Sequence, residues 1–140
     1  MAETFDIEIA TPERLLAREK VIRAQIPARE GYIGVLPDHA PLLSELGIGA
    51  MTYTTPDDHR FSLAISGGFL EINANVVRVL TDFAEKGQEI DVNQAEKDLK
   101  HAQDAIINPA LGVDIASALI AVRHAQARID AARKEAAREE

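Results

Sequence analysis

The 140-residue chain contains no cysteine and no tryptophan. Without cysteine it can form no disulfide framework, thiolate nucleophile or cysteine-based zinc site. It also lacks an apolar run near the roughly 18 residues that a membrane-spanning helix needs. Its first residues, MAETFDIEIA, lack the basic-then-apolar pattern of a signal peptide. These absences predict a soluble protein without a direct membrane span, which can still sit on a membrane complex.

Positive charge is scarce as well, since 15 Lys and Arg oppose 23 Asp and Glu and give a net charge of -8. Proteins that bind nucleic acid generally use clustered Lys and Arg, so the charge predicts no nucleic-acid partner. The exception is the segment 115–138, where five basic residues oppose two acidic ones. A basic arm beside an acidic body predicts that the two ends of the chain face different partners.

Hydrophobic residues make up 46% of the chain, which is enough for a folded core. From residue 4 to about 83, apolar residues alternate with polar ones in short stretches, beginning with Phe5, Ile7 and Ile9. Turn-forming residues separate these stretches at Thr11-Pro12, 55–58, Gly67-Gly68 and 73–75. Many short strands at this spacing predict a β-sandwich domain over residues 1–86.

The pattern changes after Gly87, where alanine becomes frequent and apolar residues take helical spacing. We predict a second, helical domain over residues 87–140. Asp91 is predicted to cap the start of its first helix, and the turn-forming residues 108–112 are predicted to end that helix. The apolar stripe of that helix is Val92, Ala95, Leu99, Ala102 and Ile106.

Asp114 is placed to cap a second helix, and together the two helices form an antiparallel hairpin. Ile115, Leu119, Val122 and Ile129 form a narrow apolar stripe on that second helix. A two-helix hairpin with so thin a stripe buries too little apolar surface to be stable alone. We therefore expect the hairpin to pack on the sandwich or on another protein, and its Ala-, Arg-, Lys- and Glu-rich end to fray.

No catalytic or metal-binding motif is evident. The four histidines, at 39, 59, 101 and 124, have no ligand spacing, and no nucleophile motif or phosphate-binding glycine loop is present. The chain is therefore predicted not to be an enzyme. His39 lies between Pro37 and Pro41, where it either hydrogen-bonds its own loop or is presented to a partner.

Two blocks of sequence carry a family resemblance. The first runs Gly31-Tyr32-Ile33-Gly34-Val35-Leu36-Pro37-Asp38-His39-Ala40-Pro41-Leu42-Leu43, and the second is Ser66-Gly67-Gly68-Phe69-Leu70-Glu71-Ile72. With the helical module that follows them, they make the chain resemble the epsilon subunits of bacterial F-type ATP synthases over nearly its whole length.

The resemblance implies a ten-stranded sandwich on the central rotor stalk, bound to the gamma subunit and to the ring of c subunits. It implies a role in coupling proton flow to ATP synthesis, at the cytoplasmic side of a bacterial inner membrane. Glu30, Tyr32 and His39 are then expected at or near the rotor interface. The hairpin is expected to reach the catalytic beta and alpha subunits and to restrain ATP hydrolysis.

Arg123, Arg128 and Arg133 have two interpretations. They either form a solvated helix face or, as the resemblance implies, contact the catalytic subunits. The competing function for the whole chain is that of a stand-alone protein-binding adaptor, which would have this same architecture.

Members of this family that bind ATP carry an Ile/Leu-Asp-x-x-Arg-Ala motif at the start of the hairpin. This chain has Ile90, Asp91, Gln94 and Ala95 at those positions, so the arginine is replaced. Glutamine lacks the fixed charge and the forked donors that bind phosphate. We therefore expect no cofactor and, at most, weak ATP binding.

Overall fold

The computed structural model describes residues 3–109 and 112–137. They form ten strands, one 3₁₀ turn and two helices. The strands are β1 (Phe5–Ala10), β2 (Leu15–Val21), β3 (Arg23–Ala28), β4 (Gly31–Val35), β5 (Leu42–Glu45), β6 (Ile48–Thr54), β7 (Arg60–Ser66), β8 (Phe69–Asn73), β9 (Val76–Leu80) and β10 (Phe83–Lys86). The 3₁₀ turn spans Gly87–Glu89, and the helices are α1 (Val92–Ile107) and α2 (Ile115–Ala137). A sandwich followed by a helical hairpin is therefore confirmed.

The strands form two five-stranded sheets. Sheet A has the order β2-β1-β9-β8-β5, and sheet B has the order β10-β7-β6-β3-β4. Neighbouring strands run antiparallel, except that β1 lies parallel to β9, with Ile7 opposite Val77. The amino-terminal strand is thus held between β2 and a strand from the far end of the sandwich sequence.

Alternation places one set of side chains between the sheets. Large aliphatic residues fill this space at zero to two per cent exposure, among them Ile7, Ile9, Ile26, Met51, Leu63, Ile65, Leu70, Ile72, Val77 and Val79. Burial of such side chains is the main stabilising contribution to a sandwich. The period-two pattern of the sequence therefore identifies the core correctly.

The predicted turns lie between strands, as expected. Asp58, Asn75 and Gly68 have φ values of 68°, 65° and 102°, in the left-handed region that Asn, Asp and Gly enter most readily. At Gly68 a Cβ would collide with the carbonyl oxygen of Leu80, so only glycine fits there. These tight connections hold the neighbouring strands in register.

Helix α1 begins as predicted. Asp91 is the N-cap, and its carboxylate accepts a hydrogen bond from the backbone N–H of Gln94 at 3.1 Å. Ala95 and Ala102 of the predicted stripe are buried, and Val92, Leu99 and Ile106 are half-buried. The stripe packs on α2, so α1 is the outer layer of the hairpin.

Helix α2 corrects one expectation. Ile115 and Leu119 of the predicted stripe are exposed, because the first turns of α2 extend away from its contacts with sheet B; Ile129 is buried. The other buried apolar side chains of α2 are alanines, at 118, 125, 127 and 131. Helix α2 continues to Ala137, and its last turns pack on sheet B, where Glu135 is buried. The expected fraying of the chain end stays a prediction. Residues 138–140 lie outside the described residues.

The predicted boundary falls where β10 ends, at Lys86. Whether residues 1–86 and 87–140 fold separately stays a prediction.

Candidate functional site

The hairpin docks on the outer face of sheet B through very small side chains. Ala50 of β6 and Ala64 of β7 pack with Ala127 and Ala131 of α2, and Ile90 completes the cluster. Alanines bring the helix backbone close to the sheet, but each buries only one methyl group. The apolar contribution to docking is therefore small for the length of helix involved.

Hydrogen bonds supplement this apolar contact at the end of α2. The backbone N–H of Ser62 donates to the carboxylate of Glu135 at 2.8 Å, and the Ser62 hydroxyl donates to the carbonyl of Ala131. Arg60 donates to the carbonyl of Lys134 at 3.2 Å. These bonds satisfy polar groups that docking removes from water, and they fix where the helix sits on the sheet.

Gly87 lies directly beneath α2. A Cβ at this position would meet the side chain of Glu135, the Ser62 hydroxyl at 2.5 Å and the Ala131 carbonyl at 2.7 Å. Only a residue without a side chain allows the helix to approach this closely. The connector between sandwich and hairpin is therefore part of the docking surface.

Arg128 joins the sandwich to both helices. Its guanidinium donates to both carboxylate oxygens of Glu85 on β10, at 2.7 and 3.3 Å, and lies 3.5 Å from Asp98 on α1. The side chain is only 15% exposed, and the hydrogen bond to Glu85 raises the pKa of Arg128. Arg123 and Arg133, in contrast, are exposed. The three arginines that the sequence analysis treats alike therefore differ in their surroundings, since only Arg128 is largely buried and paired with a carboxylate.

His124 lies one turn before Arg128 and packs on the ring of Phe83, with 4.5 Å between ring centroids. Burial lowers the pKa of His124, and the nearby Arg128 lowers it further, while Glu85 and Asp98 act in the opposite direction. The docked hairpin therefore favours the neutral imidazole.

The residues of the degenerate ATP motif make structural contacts within this chain. Ile90 is buried under α2, Asp91 caps α1 and Ala95 is fully buried. The Gln94 side chain donates to Asp98 at 2.9 Å. Because Asp91 already accepts a hydrogen bond from the first turn of α1, the helix start offers fewer free donors to an anion.

The three residues predicted at the rotor interface occupy different surroundings. Glu30 is exposed and lines a cleft with Tyr32 and Leu43, and His39 does not line that cleft. The Tyr32 hydroxyl accepts a hydrogen bond from Ala50 N–H at 3.1 Å, and Lys134 lies 5.4 Å from its ring centroid. Tyr32 is therefore in contact with the docked hairpin.

His39 lies in the β4–β5 turn, where its Nδ1 donates to the carbonyl of Ala40 at 2.7 Å. The neighbouring Asp38 N–H donates to the Asn75 side chain at 2.9 Å, which fixes this turn beside the β8–β9 turn of sheet A. The histidine thus hydrogen-bonds its own loop, as one of the two interpretations predicted.

Sequence reasoning missed an apolar row on the outer face of sheet A. Strand register aligns Phe69, Leu80, Ala10 and Leu15, and the three larger residues are 54%, 51% and 48% exposed. The row borders a cavity of about 550 Å³. The sequence does contain a signal of this row. Strands β8 and β9 carry apolar residues at both odd and even positions, whereas a strand with one face in water should carry polar residues on that face.

The next row of the same face is charged. Arg78 pairs with Glu71 at 3.2 Å and with Glu8 at 3.7 Å, and Arg18 pairs with Glu8 at 3.5 Å. These charged side chains pair with one another. The apolar row beside them stays exposed.

Within the residues that the structure describes, no three His, Asp or Glu side chains are grouped so that they could hold a metal ion. Neither α1 nor α2 has the length and apolar character of a membrane-crossing helix.

Residues 4–87 match the family model described as ATP synthase, Delta/Epsilon chain, beta-sandwich domain. The chain is 50% identical to the ATP synthase epsilon chain of Solibacter usitatus (strain Ellin6076), over 96% of this chain and 99% of the relative. It is 40% identical to the protein of the same name from Syntrophomonas wolfei, over 96% and 98% of the two chains.

A solved structure of Euglena gracilis mitochondrial ATP synthase, containing OSCP, F1 and the c-ring, includes a chain with a TM-score of 0.82 and 26% identity. That match covers 95% of this chain and 83% of the other.

Proposed function

The chain belongs to the ATP synthase epsilon-chain family, and from this membership we infer that it is a central-stalk rotor subunit of an F-type ATP synthase. The observation that carries the inference is 50% identity to an epsilon chain over almost the full length of both proteins. It is a non-catalytic subunit, so its contribution is mechanical coupling within the complex. A stand-alone adaptor would not require a match that extends through both the sandwich and the hairpin.

For the rotor contact, we propose that the outer face of sheet A binds the gamma subunit. Phe69, Leu80 and Leu15 offer exposed apolar surface at the centre, and Leu43 adds a fourth exposed side chain at the β5 edge. Contiguous apolar surface with a polar border is typical of protein interfaces. Glu30 and His39 stay our candidates for the border of this interface, together with Tyr32, towards gamma and the c-ring.

For the hairpin, we propose that the docked form is one of two states. Leaving sheet B exposes mainly alanine methyl groups, with Ile48, Ile90 and the Phe83 ring, so release costs less than opening a core made of large side chains throughout. Release also frees Arg128 from Glu85, which would let it join Arg123 and Arg133 in contacting the catalytic beta and alpha subunits. In that extended state the hairpin restrains ATP hydrolysis.

For localisation, the chain is part of the ATP synthase complex. The relatives reported above that share its length are bacterial. We place it at the cytoplasmic side of a bacterial inner membrane, held there by its partners.

The rotor assignment is tested by co-purification of the complex. The double variant Phe69→Asp/Leu80→Asp changes two exposed side chains and should abolish recovery with gamma and the c-ring while the circular dichroism spectrum is unchanged. The matched control is Ile107→Asp, because Ile107 is 77% exposed and lies on α1. Full recovery of the folded double variant with gamma would disprove the proposed face.

A charge reversal at Glu30 combined with Tyr32→Ala tests the border, through weaker coupling of hydrolysis to proton pumping in membrane vesicles.

We propose no functional cofactor. The degenerate motif should bind ATP with a dissociation constant on the order of millimolar or weaker, about -4 kcal/mol, because Asp91 and Gln94 are engaged within the hairpin. Calorimetry on the purified chain measures this, and Gln94→Arg should tighten binding. A micromolar constant for the unaltered chain would contradict the prediction.

A further inference from the structure

Strand register places two arginines and a threonine in one row on the outer face of sheet B. Arg23 of β3 is opposite Thr54 of β6, which is opposite Arg60 of β7. In the adjacent row, Gln25 is opposite Thr52. These five residues, with Ala24, line a cleft of about 280 Å³.

The charge of this cleft is opposite to that of the chain. Its described lining contains two arginines and no carboxylate, although the whole chain has a net charge of -8. Arg23 also pairs with Asp58 at 3.4 Å, but the Asp58 side chain is 82% exposed. An ion pair so open to water neutralises little of the arginine's charge. The cleft therefore attracts anions.

Arg60 adds a second positive charge to the cleft. Its Nη2 donates to the Lys134 carbonyl, whereas its Nε is buried and has no hydrogen-bond partner among the described residues. Within the same part of the chain, no carboxylate pairs with Arg60. A half-buried guanidinium without a counter-charge is unfavourable, and a bound anion would relieve it.

The donors in this cleft suit a phosphate group. Guanidinium groups carry permanent charge and match phosphate oxygens geometrically. The hydroxyls of Thr52 and Thr54 and the amide of Gln25, which also line the cleft, add neutral donors for a phosphate acceptor. The volume accommodates inorganic phosphate or the phosphate end of a small phosphoester.

We propose that this cleft is an anion site that binds the phosphate group of a small molecule. It lies on the sandwich, apart from the degenerate ATP motif at the start of α1. Because Arg60 also donates to the last turns of α2, a bound phosphate shares this guanidinium with the docked hairpin.

The test is a titration of the full chain with inorganic phosphate, at constant ionic strength and neutral pH, followed by backbone amide chemical shifts. Saturable shifts are expected at Gln25, Thr52 and Thr54, with a dissociation constant on the order of millimolar. Arg23→Gln should weaken binding about tenfold, since it removes a charged donor. Thr54→Val tests the hydroxyl without changing the shape of the side chain. Neither residue contacts α2 through a bond described above.

The matched control is Arg29→Gln, because Arg29 is an exposed arginine on the same chain that pairs with Glu45 outside the cleft. It should bind phosphate as the unaltered chain does. A titration with ADP separates free phosphate from a phosphoester as the preferred form, and either form binding at these amides supports the site. Shifts that rise linearly without saturation, or that are equal in Arg23→Gln and the unaltered chain, would overturn the proposal.

Discussion

The two faces of sheet B pack against very different surfaces. Its inner face meets sheet A through Met51, Leu63 and Ile65, which are almost completely buried. Its outer face meets α2 through the buried Ala50 and Ala64, with Ile48 partly buried beside them. A buried isoleucine or leucine contributes about 1.5–3 kcal/mol, whereas a methyl group contributes under about 1 kcal/mol. One sheet therefore carries an interface of large apolar side chains on one side and an interface of mostly small ones on the other.

The outer interface depends instead on polar groups and close fit. Glu135, Ser62, Arg60 and Arg128 form bonds between helix and sheet, and Gly87 supplies the space. Hydrogen bonds to charged groups, such as these, contribute about 1.5–3 kcal/mol each, after water has replaced them in the undocked state. Such an interface specifies one position for the helix on the sheet.

The largest effect is expected for a cavity in the inner interface. Ile65→Ala should lower the free energy of unfolding of the sandwich by about 2–5 kcal/mol, as measured by urea denaturation of the full chain. Its neighbour Ala64 faces the hairpin, and Ala64→Gly should cost about 1 kcal/mol or less. Equal losses of unfolding free energy in Ile65→Ala and Ala64→Gly would contradict the difference between the two faces.

A large effect confined to the hairpin is expected for Gly87→Ala. The added Cβ would collide with Ser62, Ala131 and Glu135, and overpacking of this kind typically costs about 1–3 kcal/mol. The Ser62 amide, which donates to Glu135, should lose protection from hydrogen exchange, while core amides of the sandwich keep theirs. Gly34→Ala is the control, since a Cβ there meets nothing within 4 Å. Unchanged protection of Ser62 in Gly87→Ala would show that the connector is not part of the docking surface.

A smaller effect is expected for Arg128→Gln. It removes the paired hydrogen bonds to Glu85 and leaves a partly buried carboxylate without its cation, at a cost of about 2 kcal/mol to docking. Protection of the Ser62 amide again reports docking. Arg123→Gln changes an exposed arginine on the same helix and should have no effect. A similar loss in both variants would mean that overall helix charge, and not this ion pair, holds the hairpin.

The smallest effect is the response to pH. Since the pKa of His124 is lowered in the docked state, docking is complete above its ordinary pKa of about 6.5 and weakens as pH falls below that value. Protection factors for Ser62 at pH 7.5 and 5.5 would measure this. The charged groups that face His124 are Arg128, Glu85 and Asp98. His124→Gln should remove the response and His101→Gln should not; an acid response that persists without His124 would assign it elsewhere.

The sequence predicts the inner interface better than the outer one for physical reasons. Alternation of large apolar residues marks the core directly, and Asp91 marks a helix start. In α2, however, alanines lie on several faces, and their hydrophobicity does not show which of them meets a sheet. The sequence therefore does not identify Ala127 and Ala131, and its periodicity points to the more apolar Ile115 and Leu119 instead.

The long-range pairings were also beyond prediction. Arg128 and Glu85 are separated by 43 positions, and nothing local marks Arg128 as different from Arg123 or Arg133. Likewise, the row of Phe69, Leu80 and Leu15 exists only once strand order and register are known. The apolar residues on both faces of β8 and β9 indicate an exposed patch, but they do not indicate which strands lie beside it.

The parallel pairing of β1 with β9 has a consequence for the order of folding during synthesis. Ile7 leaves the ribosome long before Val77, its partner across the pair, and at about 5–20 residues per second this delay lasts several seconds. Until then, β1 can pair only with β2, and its other edge stays open. Contacts so distant in sequence also slow folding after synthesis. A nascent chain arrested before Val76 should therefore be prone to association through this edge, and extension past Leu80 should end that tendency.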